Sequence, residues 1–320
     1  MDALDRSTIW PYEDGEPGAF YYQRYGHPTG AAAERALGEL EGGTALLFPS
    51  GAGATTALAL TLLKPGDTVA LAAGAYFGTG RLLGSFARWG VNVVEFDQTG
   101  PPPERAQLLW LEAPANPLLT MPDLAAATAH PAPVVVDSTA ATPIHLRPLE
   151  HGADFVLHSA TKYLGGHSDL LLGAVVCKRE EEADQLRELR GILGIVAAPD
   201  PCWLLLRSLK TLRVRVERQT ETARELARRL GGHPAVEIVR YPGFGGLISF
   251  DVAGAEAARR VETATNLITN ATSLGGTHSV MESRHRWEGD RIAAGLLRLS
   301  VGLEDADALW ADLEQALDQV

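Results

Sequence analysis

FVLHSATKYLGGHSDL, residues 155–170, sets a lysine among small and polar residues directly after an apolar run. Phe155-Val156-Leu157 reads as a buried strand, so Lys162 stands at that strand's carboxyl end. A solvated loop would explain one cation there, but not the residues at the ends of the neighbouring runs. Val134-Val135-Val136 ends in Asp137, an interval that leaves room for one connection back to a parallel strand. Residues 45–48 run into Pro49-Ser50-Gly51-Ala52-Gly53 and then a helical pattern. Runs that are apolar on both faces suit a parallel sheet covered by helices on each side. Ligands of such sheets sit at the carboxyl ends of the strands.

The pattern continues outward. Short apolar, β-branched runs recur at 69–72, 91–96, 108–111 and 174–176, with helical stretches at 55–63 and 79–87. One long helical pattern spans 201–230, with Leu205, Leu209, Leu212 and Val216 at three- and four-residue steps, and Gly231-Gly232 stops it. Strands at 247–252 and 296–301, with helices around them, make a smaller α+β domain. No element is evident before Ala31. The expectation is α/β: an N-terminal arm (1–40), a large domain with a mostly parallel sheet (41–210) and a small C-terminal domain (211–320) headed by the long helix.

The 320 residues are 46% hydrophobic and 21% charged, an ordinary globular composition. A formal net charge of −12 argues against a nucleic-acid backbone as partner. The polar, acidic N-terminus does not read as a signal peptide, and no apolar run reaches the roughly 18 residues of a membrane span. A cytoplasmic location is expected. Cys177 and Cys202 are far apart and read as buried bystander thiols. His158 and His167 lack a third ligand at metal-site spacing, so no metal is expected.

Small residues opening a helix make an anion site, because free N–H groups and the positive dipole end face outward. A lysine, an acid and an anion-binding loop on one sheet edge suggest a ligand with a group that bonds an amine, a group that needs a carboxylate, and a phosphate. Pyridoxal 5′-phosphate (PLP) has all three. The lysine must lose a proton held with a free pKa of about 10.4, which a desolvated site favours. An acid beside the ring nitrogen keeps that nitrogen protonated; a neutral Asn supplies no such Coulomb term.

DSTAATP (137–143) followed by GADFVLHSATKYLGGHSDLLLGAVV resembles the PLP-lysine region of the Cys/Met-metabolism PLP enzymes. That is the cystathionine γ-synthase, γ-lyase and β-lyase family, of the aspartate-aminotransferase fold type. YYQRYGHPT (21–29), FPSGAGA (48–54), LKPGD (63–67), EAPANPLL (112–119), LLLRSLKTL (204–212) and LRLSVGLED (297–305) resemble family motifs in family order. The resemblance implies that Lys162 is the Schiff-base lysine and proton carrier, and that Asp137 is the partner of the ring nitrogen. Ser159, Thr161 and the backbone of Gly51 and Ala52 resemble the phosphate site. Tyr76 resembles the tyrosine stacked on the ring, a candidate acid at the leaving group. Tyr22 and Arg24 resemble residues that reach a neighbouring subunit's phosphate, which implies at least a homodimer. Arg298 resembles the arginine that holds the substrate carboxylate. Asn116 and Ser273 resemble residues near the ring oxygen and that carboxylate.

Four departures stand out. The lead before STIWPYEDGEPG is short, and the loop at 241–246 is collapsed, which puts a tetramer in doubt but not a dimer. The stretch SLGGTHSVMESRHRWEGD (273–290) has His278 where the family often has Glu, then a basic, Trp-containing segment similar to a subset of bacterial cystathionine γ-lyases. His278 could bind a distal carboxylate when charged or sit neutral against a thioether. Tyr76 is followed by Phe77-Gly78, which speaks against a methionine γ-lyase. The resemblance therefore implies a PLP-dependent C–S lyase acting on cystathionine or a related sulfur amino acid. Alternatives are γ-replacement by a cystathionine γ-synthase or O-acyl-homoserine sulfhydrylase, then a β-lyase or methionine γ-lyase, or a silent regulatory relative. The nicotinamide fingerprint of a dehydrogenase is missing.

Overall fold

The computed structural model describes residues 3–320; Met1 and Asp2, at the tip of the expected arm, lie outside the described residues. Seven strands form the larger sheet: β1 (Thr44–Phe48), β2 (Thr68–Ala72), β3 (Asn92–Phe96), β4 (Leu108–Glu112), β5 (Val134–Asp137), β6 (Phe155–His158) and β7 (Gly173–Cys177). Their order is β1-β7-β6-β5-β4-β2-β3. β3, β2, β4, β5 and β6 run parallel, and β7 is antiparallel to both its neighbours. Successive side chains take opposite faces. Leu46, Phe48, Phe155 and Leu157 enter one core layer, and Leu47, Val156 and Val176 enter the other. The mostly parallel α/β sheet expected from two-sided apolar runs is the fold observed.

Helices α1 (Pro28–Glu41), α2 (Gly51–Leu62), α3 (Phe77–Ser85), α4 (Leu124–Thr128), α5 (Thr142–His145) and α6 (Glu180–Leu193) accompany this sheet. α1 begins earlier than Ala31, at a proline in the first turn, because His27 caps it: its Nδ1 accepts the Gly30 N–H at 3.0 Å. Histidine is not a usual cap, so the sequence pattern missed the start.

The long helix expected over 201–230 is two helices, α7 (Pro199–Leu209) and α8 (Leu212–Leu230). Neither Gly nor Pro marks the break; a buried arginine makes it. Arg215 donates from Nη2 to the Ser208 carbonyl (3.0 Å), from Nε to the Thr211 hydroxyl (3.1 Å) and from Nη1 to the Tyr163 carbonyl (2.8 Å). It thus caps the end of α7 and ties the turn to the loop that carries Lys162.

The second sheet has the order β10-β11-β12-β9-β8, built from β8 (Ile238–Arg240), β9 (Leu247–Asp251), β10 (Thr269–Asn270), β11 (Val280–Ser283) and β12 (Leu296–Ser300). Helices α9 (Gly254–Ala264), α10 (His285–Glu288) and α11 (Ala306–Leu317) complete the C-terminal part. α9 and α11 contribute Val261, Leu309 and Leu313 to a core of its own with Phe250 and Leu299. Cys177 and Cys202 are buried, and burial pushes both thiols up to about 12. Among the described residues no helix is long and apolar enough to cross a membrane.

Candidate active site

Parallel pairing fixes which strand ends meet. β5 and β6 are neighbours with Asp137 opposite Leu157, so Asp137 and the loop after β6 share one edge. That edge opens on a cavity of about 460 Å³. Lys162, Asp137, Ser159 and Thr161 line it from β5 and β6; Gly51 and Ala52 line it from the start of α2. Tyr76 and Asn116 come from the loops after β2 and β4, Ser273 comes from the loop between β10 and β11, and Arg298 comes from β12.

The α2 end is built to receive an anion. Ser50 caps it by accepting the Gly53 N–H at 3.0 Å, and the first intrahelical bond is Ala54 N–H to the Ser50 carbonyl. The N–H groups of Gly51 and Ala52 precede it. A Cβ at Gly51 would lie 3.0 Å from the Ser159 Cβ, so only glycine leaves that cradle open. The Thr161 hydroxyl is engaged by Leu172, accepting its N–H and donating to its carbonyl at 3.1 Å each.

Asp137 Oδ1 accepts the Thr139 N–H (3.0 Å) and hydroxyl (2.5 Å), and the Thr139 oxygen in turn accepts the Ser159 N–H at 2.8 Å. Burial raises the Asp137 carboxyl above its ordinary range, while Thr139 and then His158 oppose the shift. Among the described residues no cation forms an ion pair with it. A protonated ring nitrogen would supply the charge this carboxylate lacks, so the residues fit PLP.

Lys162 Nζ donates to Ser273 Oγ at 3.0 Å. Burial lowers its pKa, the Arg298 charge lowers it further, and Glu282 opposes. Ser273 holds φ at 91°, a left-handed conformation rare outside glycine, which presents its hydroxyl to Lys162 and its carbonyl to Arg298. Arg298 is 3% exposed. It donates from Nη1 to Asn116 Oδ1 (2.8 Å) and from Nη2 to the Ser273 carbonyl (2.8 Å) and Glu282 Oε1 (2.7 Å). Burial and then Arg284 lower its pKa to about 10, so it stays charged at neutral pH.

Sequence reasoning missed Glu112, Thr139, Glu282, Arg284 and Trp287. Glu112 pairs with Asp137 in the β4–β5 register and accepts the backbone N–H groups of Tyr76 (2.6 Å) and Asn116 (3.1 Å). Burial and the Asp137 charge push it well up. Its signal was its place at a strand's carboxyl end, the same as that of Asp137.

Three expected site residues do not line the cavity. His278 is exposed, with Nδ1 3.9 Å from Glu304. Tyr22 and Arg24 are on the arm, where Arg24 donates to the Gly191 carbonyl (2.8 Å) and lies over the Tyr25 ring at 4.5 Å.

A lysine, an uncompensated acid and a helix N-terminus on one edge of this sheet define a PLP-dependent enzyme of the aspartate-aminotransferase fold type. The family model described as "Cys/Met metabolism PLP-dependent enzyme" matches residues 3–318, and the chain belongs to that family. It is 39% identical to a cystathionine gamma-synthase of Mycobacterium tuberculosis, over 95% of this chain and 87% of that protein. It is 43% identical to an L-methionine gamma-lyase of Streptomyces avermitilis, over 98% and 83%. The crystal structure of CalE6 from Micromonospora echinospora, a protein named both a cystathionine gamma-lyase and a methionine gamma-lyase, superimposes with a TM-score of 0.94 at 35% identity, covering 99% of this chain and 93% of that one. The cofactor is PLP; the names of these relatives divide between elimination and replacement.

Proposed function

We propose that the chain is a C–S lyase that removes the γ-thiol from cystathionine or a related thioether amino acid. The observation that carries this reading is Lys162, its proton loosened by burial, sharing one cavity with Asp137 and Arg298. When bound, PLP supplies the sink for the electrons left at the substrate Cα. Arg298, buried beside Lys162 and charged at neutral pH, holds the substrate carboxylate and so fixes the direction of the Cα–H bond. Lys162 takes the Cα proton and carries protons between neighbouring carbons. Tyr76, 43% exposed at the cavity, gives a proton to the departing sulfur. With water the balance is cystathionine to cysteine, 2-oxobutyrate and ammonia.

The PLP-loaded enzyme given cystathionine is expected to release 2-oxobutyrate and cysteine. Faster formation of cystathionine from an O-acyl-homoserine plus cysteine would replace this reading with γ-replacement, the activity named for the mycobacterial relative.

Tyr22 and Arg24, outside their own chain's cavity, are proposed to complete the site of a second copy. Lys162→Ala and Arg24→Ala proteins, unfolded and refolded together, are expected to regain about a quarter of parental activity, since half the dimers are mixed and each mixed dimer has one intact site. No recovery above the separate variants would place Arg24 in its own subunit's site or outside any.

A further inference from the structure

The basic, Trp-containing segment that sets this chain apart takes no part in the proposed chemistry. It folds as β11 and α10 and builds a buried ionic cluster onto Arg298. Glu282 lies directly across from Arg298 in the β11–β12 register. Four donors converge on its carboxylate. Oε1 accepts from Arg298 Nη2 (2.7 Å), Arg284 Nη1 (2.7 Å) and the Thr272 hydroxyl (3.0 Å); Oε2 accepts the Trp287 indole N–H (2.9 Å). Arg284, 2% exposed, also donates to Glu288 at 3.0 Å. Trp287 continues to the cavity wall, where its ring is stacked with Phe77 at 6.3 Å and 5°.

Two buried guanidinium groups repel each other, and a carboxylate between them offsets that repulsion. Among the described residues Glu282 is the only carboxylate bonded to Arg298. Its contact also sets orientation. Both Nη2 hydrogens are committed, one to Glu282 and one to the Ser273 carbonyl, and Nη1 holds Asn116. Those three bonds fix the plane of the guanidinium. The Nε–H, buried and without a partner, and the second Nη1 hydrogen are the donors left over.

We propose that Glu282 is a positioning residue: held by Arg284, Thr272 and Trp287, its carboxylate sets the orientation in which Arg298 meets the substrate carboxylate. This rests on the reading of Arg298 as the carboxylate site. If the contact only balanced charge, neutralising it would leave a more positive site that binds the substrate carboxylate as well or better. A contact that orients the guanidinium weakens affinity when lost, and changes affinity more than turnover.

The test uses the PLP-loaded enzyme and two readouts. One is the calorimetric Kd of 3-(methylthio)propionate, a carboxylate that has no amine to react. The other is the separation of KM from kcat with the substrate. Arg298→Lys is the control: an unchanged Kd there means that Arg298 does not hold the carboxylate, and the underlying reading fails. With that control weakened, Glu282→Gln is expected to raise both Kd and KM by about 10- to 100-fold while kcat changes by less than about threefold. Glu282→Asp, which keeps the charge, is expected to recover part of the loss. A folded Glu282→Gln protein with parental Kd and KM, or with kcat alone reduced, overturns the proposal. Should Glu282→Gln not fold, Thr272→Val with Trp287→Phe removes two of the four donors and no charge. A several-fold rise in Kd is then expected, and an unchanged Kd overturns the proposal.

Discussion

Lys162→Ala loses at least about 10⁴-fold in kcat/KM, since one change removes both the covalent anchor of the cofactor and the base at Cα. Borohydride treatment of the PLP-loaded parent fixes the cofactor at residue 162, and the variant takes up no label there. Lys162→Arg fares no better, because a guanidinium does not give up its proton. Retention of more than about a hundredth of parental activity in Lys162→Ala would sink the assignment. Stability moves the other way. Burial and Arg298 hold the folded pKa of Lys162 below its ordinary value. Between that lowered value and the ordinary one near 10.4 the unfolded chain binds more protons, so stability rises with pH across that window. Below the window the full penalty for the buried charge applies. Lys162→Met removes the penalty, and its apoprotein is expected to melt above the parent at neutral pH. A lower melting temperature would show that the Ser273 contact outweighs desolvation.

The second large effect is at Asp137. Asp137→Asn keeps the shape and still accepts both Thr139 bonds, but it removes the charge proposed to face the ring nitrogen. An adjacent anion is worth about 1–3 pKa units, so kcat is expected to fall by about 10- to 1000-fold. The sign for stability again separates apoprotein from holoprotein. Burial raises the folded pKa of Asp137. Between its ordinary value and that raised value the folded chain binds more protons, so rising pH costs stability there and the penalty is complete above it. The Asn apoprotein is therefore expected to be as stable as the parent or more so at neutral pH, while PLP stabilises it less. Thermal melts with and without PLP measure both. An undiminished PLP-induced shift together with parental kcat would refute the pairing of Asp137 with the ring.

Much of the site could be read in the chain because each feature is local. Gly51-Ala52 after a strand offers free N–H groups at a helix start, and Asp137 and Lys162 come after apolar runs that pack on both faces. The break between α7 and α8 could not be read, because Arg215 makes it with carbonyl oxygens from three places and leaves the Leu periodicity intact. Glu112 shares with Asp137 a place at a strand's carboxyl end, but only the β4–β5 register shows the two side by side. Nothing local marks Glu282 in the stretch 273–290; the β11–β12 register places it across from Arg298.

The amino-acid sequence by itself determined the sheet and the family, and it singled out the lysine and acid proposed to hold the cofactor, because strand alternation, helix starts and motif order are written within a few residues of each other. Which charges are buried together was decided only by the tertiary structure. The Arg298–Glu282–Arg284 cluster depends on the β11–β12 register, and the Lys162–Ser273 contact across 111 positions and the absence of His278 from the cavity depend on how the loops of the two sheets meet. Desolvation and Coulomb energy depend on distance in space, and distance along the chain does not set them.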